Sequence, residues 1–170
     1  MQTKDAIRYS LTLADQAVMR SLDNIADSPF AFPTANGGCH PLWVMGHLAF
    51  VEGATHEMLG KGKNPVAHWE SLFGQDTVPN DDPSAYPTFA KVCDQYTMLR
   101  ASTLRLLDSF SEADLDKPTA FQPPGLEEHF ATVGKALLTI ALHQTMHRGQ
   151  ITDAIRMAGR TAPVLETANA

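Results

Sequence analysis

Hydrophobic side chains recur every third or fourth residue along most of this chain, and almost nowhere do they alternate. Ile7, Leu11, Ala14, Val18, Leu22 and Ile25 fall at steps of four and three, while Lys4, Asp5, Arg8, Asp15 and Arg20 fill the other side. That spacing predicts an amphipathic helix over residues 3–26. The stretch "SPFAFPTANGG" then breaks it with two prolines and two glycines. A second helix opens near "CHPLW", with Pro41 in the first turn, where a missing N–H costs nothing. It is apolar on nearly every side from Leu42 to Val51 and runs to about Gly60. Phe89, Val92, Tyr96, Leu99, Thr103, Leu106 and Phe110 mark a third helix over 87–110. Ser111 followed by Asp114 is a capping arrangement for one short turn. A fourth helix extends from about Glu128 to Ala158 and ends at Gly159. The connection 61–86 carries Gly62, Pro65, Pro79 and Pro83 and one short helical segment, "VAHWESLF". Connections of that length are uncommon in compact domains and are often functional. The expectation is one all-α domain over residues 1–170, a four-helix bundle with long inter-helix connections.

The charge balance excludes several classes of function. The net charge is −6, and the 13 Lys and Arg are scattered, the closest pair being Lys61 and Lys63. No basic stripe is present to track phosphates, so nucleic acid is not an expected partner. No apolar run approaches the length of a membrane span. The opening "MQTKDAIRYS" lacks the apolar core and cleavage site of a secretory signal. Cys39 and Cys93 allow a single pairing, which a domain of this size does not need. A reduced, cytoplasmic protein is expected.

Three histidines then stand out. Val133, Leu137, Ile140, Ile151, Ala154 and Ala158 form one stripe of the fourth helix, and His143 and His147 lie within it. Residues four apart project side by side, so both imidazoles should point into the bundle. On the second helix His47 shares its face with Trp43, Val51, Ala54 and Met58. Three imidazoles in one apolar interior are costly to leave unsatisfied and costlier to protonate. A divalent cation such as zinc, nickel or iron removes both costs and leaves coordination positions for water or substrate. A lone buried histidine is usually hydrogen-bonded core; the third one on an inward face favours a metal site at His47, His143 and His147. In zinc peptidases with two histidines four apart, a glutamate follows the first and activates water. Here that position is Gln144, which cannot take a proton, so a peptidase is not expected.

"MGHLAFVEG" in the second helix and "HQTMHRGQITDAIRMAG" in the fourth resemble the DinB/YfiT-like family of metalloenzymes. The resemblance covers nearly the whole chain. It implies a four-helix bundle, often a homodimer, with one divalent metal, zinc or nickel, on a histidine triad that maps to His47, His143 and His147. Some relatives join low-molecular-weight thiols such as bacillithiol or mycothiol to electrophiles, or use them in isomerisation. A thiol-dependent S-transferase acting on a small molecule is the first expectation; a non-catalytic, metal-binding structural bundle is the alternative. Three histidines plus water would favour chemistry, and a closed shell of four protein ligands would favour structure.

Other residues carry weaker expectations. Arg148, directly after the second histidine, is placed either to hold an anionic substrate group or to make a solvent-facing salt bridge. Gln150 is a partner for a ligand imidazole. Glu52 is a poor fourth ligand, five positions after His47, and is expected to pair with His56 at i+4. Cys39, beside the start of the second helix, is favoured as a small buried or capping residue over a thiolate. Trp69 and Phe73 either roof a pocket or cover a dimer face. His40, His68 and His129 fall near element ends and receive no role.

Overall fold

A computed structural model describes residues 1–30, 38–80 and 82–162. In chain order its α-helices are α1 (Thr3–Leu22), α2 (Pro41–Met58), the one-turn α3 (Glu70–Phe73), α4 (Phe89–Ser109) and α5 (Val133–Met157). Among the described residues there is no strand, only an isolated bridge between Pro118 and Thr132. All four expected long helices are present, and α3 falls inside "VAHWESLF". Most of the Pro- and Gly-rich break after α1 lies at 31–37, outside the described residues.

The periodic residues of α1 do what their spacing demands. Ile7, Leu11, Ala14, Val18 and Leu22 are buried, as is Ile25 in the turn beyond the helix end. α1 packs chiefly on α5, and α2 packs on both α4 and α5. α1 and α5 run in the same direction, since Ile7 lies beside Gly134 while Arg160 pairs with Asp27 at the other end. α2 and α4 also run parallel, with Glu52 against Arg100 and His56 against Thr103. A chain leaving one helix for a parallel neighbour must return the length of the bundle. The long 61–86 connection is the topological consequence.

That connection does not stand off the bundle. Val66, Trp69 and Phe73 are buried in the same cluster as Trp43, Val44 and Met45 of α2. Trp69 and Phe73 are therefore core residues, neither a pocket roof nor a dimer face. Two glycines of α2 admit them: a Cβ on Gly46 would overlap the Phe73 ring, and one on Gly53 would overlap the Asn64 side chain.

The start of α5 differs from expectation. Residues 128–132 keep a helical spacing but are drawn into non-local bonds: the Thr119 N–H donates to the Ala131 carbonyl at 3.3 Å, and the Val133 N–H to the Lys117 carbonyl at 3.0 Å. Thr132 then caps the helix, its hydroxyl accepting from the Lys135 N–H. Gly159 ends it in the left-handed conformation (φ 72°) that glycine adopts without a Cβ penalty. Ser111 and Asp114 form the expected capping box. Cys39 and Cys93 are both free thiols. Among the described residues no helix is long and apolar enough to cross a membrane.

Candidate metal centre

α2 starts where Pro41 fits the first turn, but its cap is His40 rather than Cys39. The His40 Nδ1 accepts the Trp43 N–H at 3.0 Å, and His40 is fully buried between the rings of Phe30 and Tyr86. Burial pushes the Cys39 thiol up, against thiolate character there. About two turns further on, His47 points from α2 toward α5. Its ring stacks on Trp43 at 4.9 Å between centroids and 8° between planes.

Two of the three expected ligands have their tautomers set by hydrogen bonds. The His47 Nδ1–H donates to the Phe73 backbone carbonyl at 2.7 Å, and the His147 Nδ1–H donates to the Gln150 Oε1 at 2.7 Å. With a proton on each Nδ1, each Nε2 carries a lone pair. Both lone pairs face the same point: the His143 Nε2 lies 3.2 Å from the His47 Nε2 and 3.0 Å from the His147 Nε2. One neutral imidazole can donate to only one of them, so three ring nitrogens converge with too few protons to join them. Burial also opposes protonation. It holds His47 down to about 4 and, with help from the neighbouring histidines, His143 down to about 3; His147 is lowered too, partly offset by Gln150.

A divalent cation fits this donor set. Metal–nitrogen bonds of about 2.05 Å place two ligand nitrogens about 2.9 Å apart at a right angle and about 3.3 Å apart at the tetrahedral angle. The separations of 3.0 and 3.2 Å fall between these values. His47, His143 and His147 form a group of metal-ligating side chains whose ligand atoms all lie within 4.8 Å of one another. Gln150, expected beside one of these imidazoles, partners that of His147.

Other sequence expectations fare differently. Glu52 is buried and does not pair with His56; its Oε1 lies 2.5 Å from the Arg100 Nη2, and its Oε2 accepts from the Thr103 hydroxyl at 2.5 Å. His56 instead donates to that hydroxyl at 2.9 Å. Helix α4 offers Glu52 a guanidinium inside the core, where an i+4 imidazole offers a weaker partner. Gln144, where a peptidase would carry its base, is fully buried. Its Oε1 accepts from the Arg100 Nη2 at 2.6 Å, and its amide N–H donates to the Tyr96 hydroxyl. Tyr96 in turn donates to Asp15 at 2.8 Å. Arg148 is half-buried on α5, about 100° round the helix from His147.

Sequence reasoning missed the Phe73 carbonyl and the role of Arg100. The signal for Arg100 was a charged residue inside the apolar stripe of α4, four positions after Tyr96 and three before Thr103. The signal for Phe73 was a helix-interior glycine, Gly46, directly before a ligand. No curated protein matches the chain. The family model of the DinB superfamily, however, matches residues 10–151, a span that contains all three histidines and all but the edges of the bundle. By fold, by motif and by that match, the chain belongs to the DinB superfamily.

Proposed function

We propose that the protein is a metal-dependent enzyme of the thiol S-transferase type, holding one divalent transition ion, zinc or nickel, at His47, His143 and His147. The observation that carries this reading is the convergence of three Nε2 atoms of which two are committed, by bonds on the opposite ring nitrogen, to being lone-pair donors. Among the described residues the group contains three ligands rather than four, the arrangement of an open site. His143 and His147 are only half-buried, which leaves a side for a small molecule to approach.

A divalent ion supplies Lewis acidity there and eases deprotonation of a thiol brought to it. The rest is done by the chain. Phe73 and Gln150 keep two imidazoles in the ligating tautomer. Trp43 walls the site by stacking on His47, with its indole N–H held by Thr77 at 3.2 Å. Gln144 offers no base and its amide is already committed, so hydrolysis of peptides or esters is not expected. Arg148 is assigned to clamp an anionic group of the substrate, and Arg148→Gln should raise KM more than it lowers kcat.

The same reading makes the protein a cytoplasmic C2 homodimer. Leu138, Leu142, Thr145 and Gly149 repeat at steps of four, three and four along α5, with Leu142 67% and Met146 65% exposed. Among the described residues Gly149 faces open space, so none of their contacts accounts for a glycine that costs about 1 kcal/mol in a helix interior. Tyr9 and Leu13 are exposed on the neighbouring α1. Faces of two helices about 30 Å long and 10 Å wide bury roughly 1,200 Å² in total between two copies, the lower end for a specific interface.

The test is a screen of the metal-loaded protein against electrophiles with bacillithiol, mycothiol, glutathione and coenzyme A. Turnover should need metal and thiol together and vanish in His47→Ala. If no electrophile reacts faster than with His47→Ala, thiol transfer is wrong and a non-catalytic metal-binding bundle takes its place.

A further inference from the structure

We infer that the buried polar network centred on Gln144 and Arg100 sets the rotation of α5 about its axis, and through it the position of His143 in the metal centre; Gln144 is a positioning residue. The inference rests on the metal reading above and adds a role that the triad itself does not assign.

The three histidines are not held alike. His47 is anchored by the Phe73 carbonyl and His147 by Gln150. The His143 Nδ1 is buried and has no hydrogen-bond partner among the described residues. Outside the triad no hydrogen bond of its ring fixes His143 among the described residues, so its place depends on the backbone that carries it. The next residue, Gln144, is fully buried with both ends of its amide engaged: oxygen to Arg100, nitrogen to Tyr96. From there the network reaches every other long helix: Asp15 on α1, Glu52 and His56 on α2, and Tyr96, Arg100 and Thr103 on α4.

Apolar packing alone does not supply this precision. The hydrophobic effect is non-directional, and a helix can turn against a core with little change in buried area. An imidazole Nε2 stands about 6 Å from its helix axis, so a 20° turn moves it about 2 Å. Metal sites tolerate errors of about 0.2 Å. Hydrogen bonds are directional, and an amide whose oxygen faces a guanidinium and whose nitrogen faces a phenol admits one orientation. A buried Arg–Glu pair such as Arg100–Glu52 is weak evidence for stability, because well-packed apolar residues often do as well. Fixing register is the better-attested use of such groups. Placement of the network residue directly beside the one unanchored ligand is what that use requires.

The experiment compares full-length wild type with Gln144→Met, which keeps length and burial and removes both bonds. Each apo-protein is checked for helicity and thermal midpoint, then titrated with Co(II), reading affinity and the visible absorption of the bound ion. Wild type should bind one Co(II). Gln144→Met should bind it about 10- to 100-fold more weakly, the usual range for a lost partner behind a metal ligand, and with a changed spectrum at saturation. Leu137→Ala, a core truncation on the same helix, should lower the midpoint yet keep the wild-type spectrum. If Gln144→Met fails to fold, Tyr96→Phe removes one hydroxyl from the same amide and should shift the spectrum in the same direction. A saturated spectrum and affinity equal to wild type, in whichever of these two variants folds, overturns the positioning role and leaves the metal site standing. Failure of wild type to bind Co(II) overturns the metal reading and this inference together.

Discussion

Gly46→Ala adds one methyl group and should weaken metal binding without touching a ligand. The new Cβ would overlap the Phe73 ring, which is fully buried and has no open space to enter. Carbon atoms need about 3.5–4.0 Å between centres, so ring and α3 together must retreat by more than about 1 Å. The Phe73 carbonyl now lies 2.7 Å from the His47 Nδ1. Moved by that amount it passes beyond about 3.5 Å, and the bond is lost. Two costs follow. Overpacking a core costs about 1–3 kcal/mol of stability. Losing the partner that orients a ligand imidazole costs about 10- to 100-fold in metal affinity. Chelator competition with Zn(II) reads the second, and thermal unfolding of the apo-protein reads the first. The double variant Gly46→Ala/Phe73→Leu separates them, because a smaller side chain relieves the overlap while the backbone carbonyl remains. It should recover most of the lost affinity as a coupling between the two sites. An affinity unchanged in Gly46→Ala, alongside a lowered midpoint, would refute the link from glycine to carbonyl to imidazole.

Two further outcomes follow from the structure. His47 and His143 titrate near 4 and 3 in the folded apo-protein against 6.5 ordinarily, and His147 is lowered in the same sense; the unfolded chain therefore binds more protons, and apo stability should be full above about pH 7 and fall as pH drops toward 4, whereas a midpoint that rises on acidification over that window would contradict the assignment. Leu142→Arg places a charge on the exposed seam of α5 and should turn a dimer into a monomer in sedimentation at micromolar concentration; a wild-type monomer, or a dimer untouched by the change, removes that face from the assembly.

The helices were legible because their evidence is local. Six positions, five in α1 and Ile25 in the turn beyond it, announced a buried stripe by spacing alone, and every one is buried. His143 and His147 were legible for the same reason, and His47 because its neighbours on one face are apolar. What stayed hidden depends on groups that meet only after folding. The first turn expected for α5 at residue 128 is overruled by bonds to residues 117 and 119, which no periodicity reports. Glu52 was matched to His56 because i+4 is visible in a sequence, whereas Arg100 lies 48 positions away and on another helix. Gln144 could be struck off as a base from its chemistry; its destination could not be read, since the partners of a buried amide are set by which helices pack together.

The direction and order of the helices bear on when the site comes into being. His47 and His143 meet across a sequence separation of 96, and Arg160 reaches Asp27 across 133. Contacts at such separations form slowly, because a long loop must close before they stabilise anything. During synthesis α1 waits with its apolar face uncovered until α5 follows. One of the three histidines is made before the 61–86 connection and α4, and the other two arrive together after them. The buried clusters around Trp43 and around Leu137 both draw on helices on either side of the 61–86 connection. An ion taken up at the three histidines would then complete such a bundle instead of nucleating it, the reverse of a zinc finger, whose chain has no fold to offer until the ion is bound.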